Sequence, residues 1–272
     1  MIQIVKKGSY ALFIMKWSEK QCVVLDMDGT VYLGDNPITG AVQFIQRHWQ
    51  DLHFYFLSNN TSKSLSTYVT KLNRMGIPAT KDILLSPALP MVQFLRARSI
   101  THVYLVGNRD FSKELHEYMP ELVETEDGAE AVILSYDTEL TYQKLARSCL
   151  LLQRNDVLFL ATHPDLVCPS PEGPLPDVGS MINLYATATG RRPQYIFGKP
   201  DPMVLAPLLA KYPKDAMVMV GDRLSTDKKL AENAGIDFAL VLSGEAKRED
   251  LAKETVMPTV VLDDLGCAES GF

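Results

Sequence analysis

The stretch CVVLDMDGTVYLGD, residues 22–35, ends an uninterrupted apolar run with two aspartates, Asp26 and Asp28, on either side of a single methionine. Gly29 follows directly and lets the backbone turn away sharply. Side chains two residues apart in an extended segment project to the same side. The spacing therefore predicts that both acids face one site, although Asp-Gly after an apolar run is also a common turn signal.

The chain from residue 22 onward repeats a short apolar run, a polar turn and an amphipathic helix, which is typical of parallel α/β architecture. Further strands are predicted for the runs HFYFL, THVYLV, AVIL, VLFLA, YIFG, AMVMVG and DFALVL. Apolar residues at helical spacing from Leu65 to Met75 predict a helix that ends at Gly76. The proline-rich segment HPDLVCPSPEGPLPDVG is predicted to be a loop, neither helix nor sheet.

Four of the predicted strands end in polar residues. These clusters are Asp26-Met27-Asp28-Gly29-Thr30, Ser58-Asn59-Asn60, Gly198-Lys199-Pro200, and Gly221-Asp222-Arg223 with Thr226 and Asp227 close behind. In open parallel sheets, ligands bind beyond the carboxyl ends of the strands. If the four strands are neighbours, their ends form one site that contains several carboxylates, one lysine and small hydrogen-bond donors.

That set of side chains suits a phosphate monoester and a divalent metal. Asp26 and Asp222 would repel each other unless a cation lay between them, and oxygen ligands without His or Cys favour Mg²⁺. Lys199 would offset the charge of the phosphate, while Ser58 and backbone N–H groups would hold its oxygens. A carboxylate nucleophile would form an aspartyl-phosphate, and Asp28 would protonate the leaving oxygen and then activate water.

These residues, in this order, resemble the haloacid dehalogenase-like hydrolases, and within them the NagD-type, p-nitrophenyl phosphatase-like branch. LDMDGTVYLGDNPITGA is similar to the first motif of that family, LSNN to the second, GKPDP to the lysine motif and VGDRLSTD to the acidic fourth motif. ATHPDLVCPSPEGPLPDVGS is similar to a loop in the cap domain of this branch. The resemblance covers nearly the whole chain, from residue 20 to residue 262.

The resemblance implies catalytic and metal-binding roles for five residues. Asp26 would be the nucleophile and a Mg²⁺ ligand. Asp28 would be the general acid and base, with its main-chain carbonyl also on the metal. Lys199 would neutralise the transferring phosphoryl group, Asp222 would be a further Mg²⁺ ligand, and Asp227 would support the metal ligands.

Phosphate and substrate binding is implied for a second group of residues. Ser58 would bind the phosphate, with Asn59 and Asn60 beside it, although the same polar run also suits helix capping. The cap loop would present residues 163–176, including His163 and Asp165, to the substrate. For His163, a substrate contact and simple hydrogen bonding within the loop remain open alternatives.

The implied fold is α/β, with a Rossmann-like parallel-sheet core and an inserted α/β cap domain of the C2 type that closes over the site. The core would comprise residues 17–82 and 183–272, and the cap residues 83–182. Residues 1–16 would be an N-terminal extension, with Met15 as an alternative start that leaves out residues 1–14. The resemblance also implies a homodimer formed through the cap.

Composition argues against nucleic-acid and membrane partners. The net charge is −6 and the pI is about 5.4, and no basic stripe is present, which argues against nucleic acid. No segment has the roughly 18 consecutive apolar residues of a membrane span. The four cysteines are scattered without a C-x-x-C pair, which predicts neither a zinc site nor disulfides and favours the cytoplasm. The expected partner is a small phosphorylated metabolite.

Three other functions compete with a phosphatase. Phosphomutases and phosphotransferases of this superfamily carry a small helical cap soon after the first motif, and the interval between Thr30 and the second strand leaves no room for one. Dehalogenase chemistry does not use the second acid, whereas Asp28 is present. A non-catalytic binding protein would be expected to lack one of the catalytic residues, and none of Asp26, Lys199 and Asp222 is missing.

Overall fold

The computed structural model describes residues 15–170 and 172–271. In chain order its strands are β1 (Cys22–Asp26), β2 (Tyr32–Leu33), β3 (Asn36–Pro37), β4 (His53–Leu57), β5 (Leu84–Leu85), β6 (His102–Val106), β7 (Val123–Glu124), β8 (Ala131–Leu134), β9 (Leu158–Ala161), β10 (Val167–Cys168), β11 (Leu175–Pro176), β12 (Tyr195–Ile196), β13 (Met217–Gly221), β14 (Asp237–Val241) and β15 (Val260–Leu262). Residues 1–14 of the predicted extension lie outside the described residues.

The α-helices are α1 (Thr39–Arg47), α2 (Leu65–Arg74), α3 (Ala88–Ala97), α4 (Arg109–Tyr118), α5 (Tyr142–Leu151), α6 (Val178–Thr189), α7 (Ala206–Leu209) and α8 (Lys229–Ala234). Short 3-10 helices span Trp17–Glu19, Lys81–Ile83, Pro202–Leu205, Lys214–Ala216, Arg248–Lys253 and Leu265–Gly271, and a π-helix spans Leu224–Lys228. The predicted helix that precedes Gly76 is confirmed as α2. No helix of the described ranges has both the length and the apolar composition that a membrane span requires.

The chain divides into two compact units. The core unit contains the described residues up to Leu57, Val69–Leu84 and the residues from Leu205 onward, and the inserted unit contains Ser58–Tyr68 and Leu85–Val204. The predicted cap ends at residue 182, whereas the inserted unit continues through α6 and β12 to Val204. This difference arises because β12 pairs with a strand of the inserted unit.

The core unit is built on a six-stranded sheet in the order β15-β14-β13-β1-β4-β5. β1 is central, and it pairs in parallel with β13 on one side and β4 on the other. All residues of β1 and β13 are buried. A parallel strand that is covered on both faces needs apolar side chains at every position, which explains why CVVL and MVMV lack alternation.

The inserted unit has its own parallel sheet, in the order β12-β9-β8-β6-β7. Two apolar clusters within this unit contain side chains of its strands. One includes Met91 of α3 and Phe111 of α4, and the other includes Val178 and Tyr185 of α6. The α/β fold class, with a parallel-sheet core and an inserted α/β domain, is confirmed.

The condition that the four polar clusters follow neighbouring strands is met for three clusters and not for the fourth. β13, β1 and β4 are adjacent in the core sheet. The strand before Lys199 is β12, which pairs with β9 in the inserted sheet, with Tyr195 opposite Leu160. A strand of two residues carries too little side-chain pattern to specify its partner, because register and pairing are set by the buried face of a longer strand.

The proline-rich segment was predicted to lack sheet structure, and this is wrong for a short hairpin within it. β10 and β11 pair antiparallel, with Val167 opposite Pro176 and Cys168 opposite Leu175. A proline is compatible with a two-stranded ribbon because such strands have an edge that needs no N–H donor. After β12 the chain forms the 3-10 helix Pro202–Leu205, which is followed directly by the short α7.

Burial in β1 controls the reactivity of Cys22. The thiol is completely buried, and desolvation raises its pKa to about 12. Because the thiolate is the reactive form and the raised pKa keeps the thiol protonated at pH 8, alkylation of the native protein at pH 8 is expected to modify the exposed Cys267 and spare Cys22. Peptide mass spectrometry before and after denaturation measures this. Rapid modification of Cys22 in the folded protein would contradict its placement.

Candidate active site

Three carboxylates of the core unit lie together at the carboxyl end of its sheet. Asp26 is the last residue of β1, Asp222 directly follows the adjacent β13, and Asp227 lies in the π-helix after it. One oxygen from each carboxylate lies within 4.8 Å of the others, and all three residues are buried. The cluster contains only oxygen ligands, which is the chemistry that Mg²⁺ and Ca²⁺ prefer.

Backbone donors hold two of these carboxylates in place. The N–H of Glu245 donates to Oδ2 of Asp222 over 2.7 Å, and the N–H of Arg223 donates to Oδ2 of Asp227 over 3.1 Å. The Glu245 side chain is itself fixed by an ion pair of 3.1 Å to Nε of Arg223. These donors fix the orientation of the Asp222 and Asp227 carboxylates beside Asp26.

Asp28 differs from Asp26 in its surroundings. β1 ends at Asp26, and the backbone then turns, so that the main-chain oxygen of Met27 accepts from the N–H of Val31 over 2.9 Å. Asp28 is exposed, whereas Asp26 is only 9% exposed. The prediction that side chains two residues apart face the same side therefore applies only up to the strand end at Asp26. The structure gives the two acids unequal environments.

Sequence analysis did not identify several groups that surround the carboxylates. The loop after β14 supplies the Glu245 N–H and the hydroxyl of Ser243, which donates to the main-chain oxygen of Gly29 over 2.7 Å. Thr30 and Thr226, which the sequence had placed in the polar clusters, are buried, and their hydroxyls lack hydrogen-bond partners within the described ranges. The signal that could have identified Ser243 and Glu245 is their position, because the loop SGEA follows β14, the strand next to β13.

The remaining predicted site residues belong to the inserted unit. Those of the polar run after β4 make separate hydrogen bonds within the run itself. Oγ of Ser58 accepts from the N–H of Asn60 over 3.1 Å, and Oδ1 of Asn60 accepts from the N–H of Ser62 over 2.9 Å. Ser64 accepts from the N–H of Thr67 in the first turn of α2. The capping interpretation therefore describes Ser64, whereas Asn60 closes a turn ahead of the helix, and phosphate binding by Ser58 stays a prediction.

Asn59 is buried, and its side-chain amide bonds to both the N–H and the carbonyl oxygen of Lys199. Oδ1 of Asn59 accepts from the N–H of Lys199 over 2.8 Å, and Nδ2 donates to the main-chain oxygen of Lys199 over 3.0 Å. Lys199 is itself only 3% exposed. The sequence therefore identified both residues as site candidates, while the structure shows that Asn59 acts on the backbone of Lys199.

His163 and Asp165 lie together with Asp177, which sequence analysis did not single out. Nδ1 of His163 is 3.6 Å from Oδ2 of Asp165, and Nε2 is 3.6 Å from Oδ1 of Asp177. His163 is completely buried, so loop packing describes its surroundings better than an open substrate contact. One atom from each of the three residues lies within 4.8 Å of the others.

Two family models match this chain. A model described as haloacid dehalogenase-like hydrolase matches residues 23–119, and one described as HAD-hydrolase-like matches residues 196–268. The first includes Asp26, Asp28 and Ser58, and the second includes Lys199 and Asp222. All four sequence motifs therefore lie within the matched ranges.

Several known proteins are similar over most of the chain. The acid sugar phosphatase of Staphylococcus haemolyticus is 32% identical over 252 residues, covering 91% of this chain and 94% of that protein. The structure of a 4-nitrophenylphosphatase from Thermotoga maritima is 36% identical with a TM-score of 0.88, covering 95% and 100%. A glycerol phosphate phosphatase from Mycobacterium tuberculosis, solved in complex with calcium, is 29% identical with a TM-score of 0.84, covering 93% and 76%.

Proposed function

The chain belongs to the haloacid dehalogenase-like hydrolases, and from this premise we propose that it is a Mg²⁺-dependent phosphatase that hydrolyses small phosphomonoesters through an aspartyl-phosphate. Its relatives carry phosphatase names, so the enzyme class is phosphoric monoester hydrolase, and the predicted p-nitrophenyl phosphatase-like branch is confirmed. The observation that carries the proposal is the buried group of Asp26, Asp222 and Asp227.

The metal is the first element of the proposal. Asp26, Asp222 and the main-chain carbonyl of Asp28 would hold Mg²⁺, with Asp227 in support, and the oxygen-only set fits a hard divalent cation. The calcium-bound relative supports a divalent ion in this family. When bound, the cation supplies charge neutralisation for the phosphate and for the clustered carboxylates.

The protein side chains carry out the proposed chemistry. An oxygen of Asp26 attacks phosphorus, the bond from phosphorus to the ester oxygen breaks, and Asp28 gives that oxygen its proton. Asp28 then removes a proton from water, which attacks the phosphoryl group, releases inorganic phosphate and regenerates Asp26. Lys199 is proposed to neutralise the transferring group, and Ser58 to bind its oxygens. Asp28 is exposed, so water can reach it for the second step.

The substrate class is proposed from the names of the relatives, which act on sugar phosphates, p-nitrophenyl phosphate and glycerol phosphate. A panel of these compounds, assayed for phosphate release, ranks them for this chain. Adding a sugar as acceptor distinguishes hydrolysis from phosphotransfer, because a phosphotransferase yields a new phosphate ester instead of inorganic phosphate. The homodimer and the cytoplasmic location stay predictions.

Removal of the metal is expected to abolish turnover. Protein treated with EDTA should hydrolyse p-nitrophenyl phosphate only after Mg²⁺ is returned, because clustered carboxylates otherwise repel the phosphate. The Asp222→Asn variant should need a Mg²⁺ concentration for half-maximal activity that is about tenfold higher or more. Full activity of metal-free protein, or an unchanged Mg²⁺ requirement in this variant, would show that the proposed metal site is wrong.

A further inference from the structure

Four side chains of the inserted unit form a continuous series of contacts that ends at the main chain of Lys199. We call them the support network, and they are Asp177, His163, Asp165 and Asn59. Each is buried or nearly so, with 8% of the Asp165 side chain exposed. The series begins at the N-terminus of α6, so it connects a regular element to a residue that the proposed function needs.

The contact between Asn59 and Lys199 is the functional end of the network. The amide of Asn59 satisfies both backbone polar groups of Lys199, over 2.8 and 3.0 Å. The preceding Gly198 permits this approach, because a Cβ at that position would lie 2.4 Å from Oδ1 of Asn59. Two hydrogen bonds from one rigid group fix both the position and the orientation of that backbone.

Asp165 determines which way the Asn59 amide points. Nδ2 of Asn59 donates to Oδ2 of Asp165 over 3.2 Å. A carboxylate only accepts hydrogen bonds, whereas an amide has one end that donates and one that accepts. With Asp165 beside it, the NH₂ group is held toward the carboxylate and the main-chain oxygen of Lys199, and Oδ1 is left for the Lys199 N–H.

His163 lies against both Asp165 and Asp177. Both ring nitrogens lack hydrogen-bond partners within the described ranges, and each lies 3.6 Å from one of the two carboxylates. In every protonation state the ring presents at least one N–H. Oxygens of Asp165 and Asp177 also come within 4.8 Å of each other, so a ring that lies against both carboxylates offsets their repulsion and holds the Asp165 carboxylate against Asn59.

The far end of the network is anchored in secondary structure. Asp177 is the N-cap of α6, and its Oδ1 accepts from the N–H of Val178 over 2.7 Å. The loop is attached to the same helix, because the N–H of Gly179 donates to the main-chain oxygen of Asp165 over 2.7 Å. Asp177, and therefore His163, is positioned by a helix of 12 residues.

We propose that Asp165 and His163 are positioning residues, which hold Asn59, and through it the main chain of Lys199, in the conformation that phosphoryl transfer requires. This rests on the proposed function, since it takes the role of Lys199 from there. It gives the two residues a task that needs no contact with the substrate, which agrees with the complete burial of His163.

A double-mutant cycle on the full-length protein tests this inference. The kcat and KM for p-nitrophenyl phosphate and for a sugar phosphate are measured for Asp165→Ala, His163→Ala, Asn59→Ala and the Asn59→Ala/Asp165→Ala double variant. The Asp165→Asn variant keeps an acceptor oxygen for Asn59 and is the conservative rescue. Glu114→Gln is the control, because Glu114 is a buried acid of the same unit that accepts from Ser86 and lies outside the network.

Asp165→Ala and His163→Ala are expected to lower kcat about tenfold or more, by the same factor on both substrates and with little change in KM. The double variant should lose no more than Asn59→Ala alone, because residues that act through one another are not additive. Asp165→Asn should recover most of the lost kcat. Glu114→Gln is expected to lower thermal stability and leave kcat unchanged.

Three results would overturn the inference. Losses that multiply in the double variant would mean that Asp165 does not act through Asn59. A rise in KM confined to one substrate would indicate direct substrate contact. A stoichiometric metal ion in the wild type that His163→Ala loses would make these residues metal ligands. A wild type without any turnover refutes the proposed function as well, whereas an active wild type with multiplying losses refutes the inference alone.

Discussion

The Asp26→Asn variant is expected to fold like the wild type and to lose turnover on p-nitrophenyl phosphate by about 10³-fold or more. An amide cannot attack phosphorus as a carboxylate does, so no aspartyl-phosphate forms. The fold should survive, because Asp26 lies beside Asp222 and Asp227, and removing one of several clustered anions relieves repulsion. Steady-state kcat and thermal unfolding by circular dichroism measure the two effects separately.

Asp35→Asn is the matched control for this variant. It makes the same chemical change nine residues later, at a side chain that is completely exposed and 3.6 Å from Nζ of Lys71. Asp35 belongs to the same opening stretch but lies outside the carboxylate cluster, so its variant should keep full turnover. If Asp26→Asn kept a tenth of the wild-type kcat, the assignment of Asp26 as nucleophile would be wrong.

Gly29→Ala is expected to be nearly as harmful, for a geometric reason. Gly29 has a φ of +88°, and a Cβ at that position would lie 2.4 Å from Oδ2 of Asp222. The new methyl group must displace a carboxylate that the Glu245 N–H also holds. A shift of about 1 Å in a catalytic group can lower turnover by about 10²-fold, and a loss of at least that size is expected in kcat.

Gly34→Ala separates the steric effect from the backbone effect. Gly34 also has a positive φ, +56°, but no atom lies within 4 Å of the position that a Cβ would occupy. An alanine there should cost about 1–2 kcal/mol of stability and leave kcat unchanged. Equal kcat values for the two alanine variants would show that Gly29 does not shape the carboxylate cluster. Thermal unfolding of both variants measures the loss of stability that an alanine at a positive φ causes in each.

The fold was predictable wherever one strand or helix carried its own signal. CVVL and MVMV are apolar at every position because both faces of the core sheet are covered, and both runs were correctly predicted to be strands of a parallel sheet. β12 was assigned to the wrong sheet because two residues do not encode a partner. The β10–β11 hairpin escaped notice because prolines dominate the local pattern there.

The candidate site was predictable from its side chains and not from its backbone donors. Asp26, Asp222 and Asp227 come together as the strand ends require. The Glu245 N–H that holds Asp222 could not be identified, because every residue except proline offers the same donor. The pairing of Asn59 with the Lys199 backbone could not be identified either. Every backbone offers the same groups, and 140 residues separate the two.

The most direct test of the central claim is a rapid-quench experiment with p-nitrophenyl [³²P]phosphate. If Asp26 is the nucleophile, labelled protein should accumulate within the first turnover, the label should map to the peptide that contains Asp26, and hydroxylamine should release it as expected for an acyl phosphate. The Asp26→Asn variant should carry no label. Steady turnover without any labelled protein, or a label on another residue, would contradict the account.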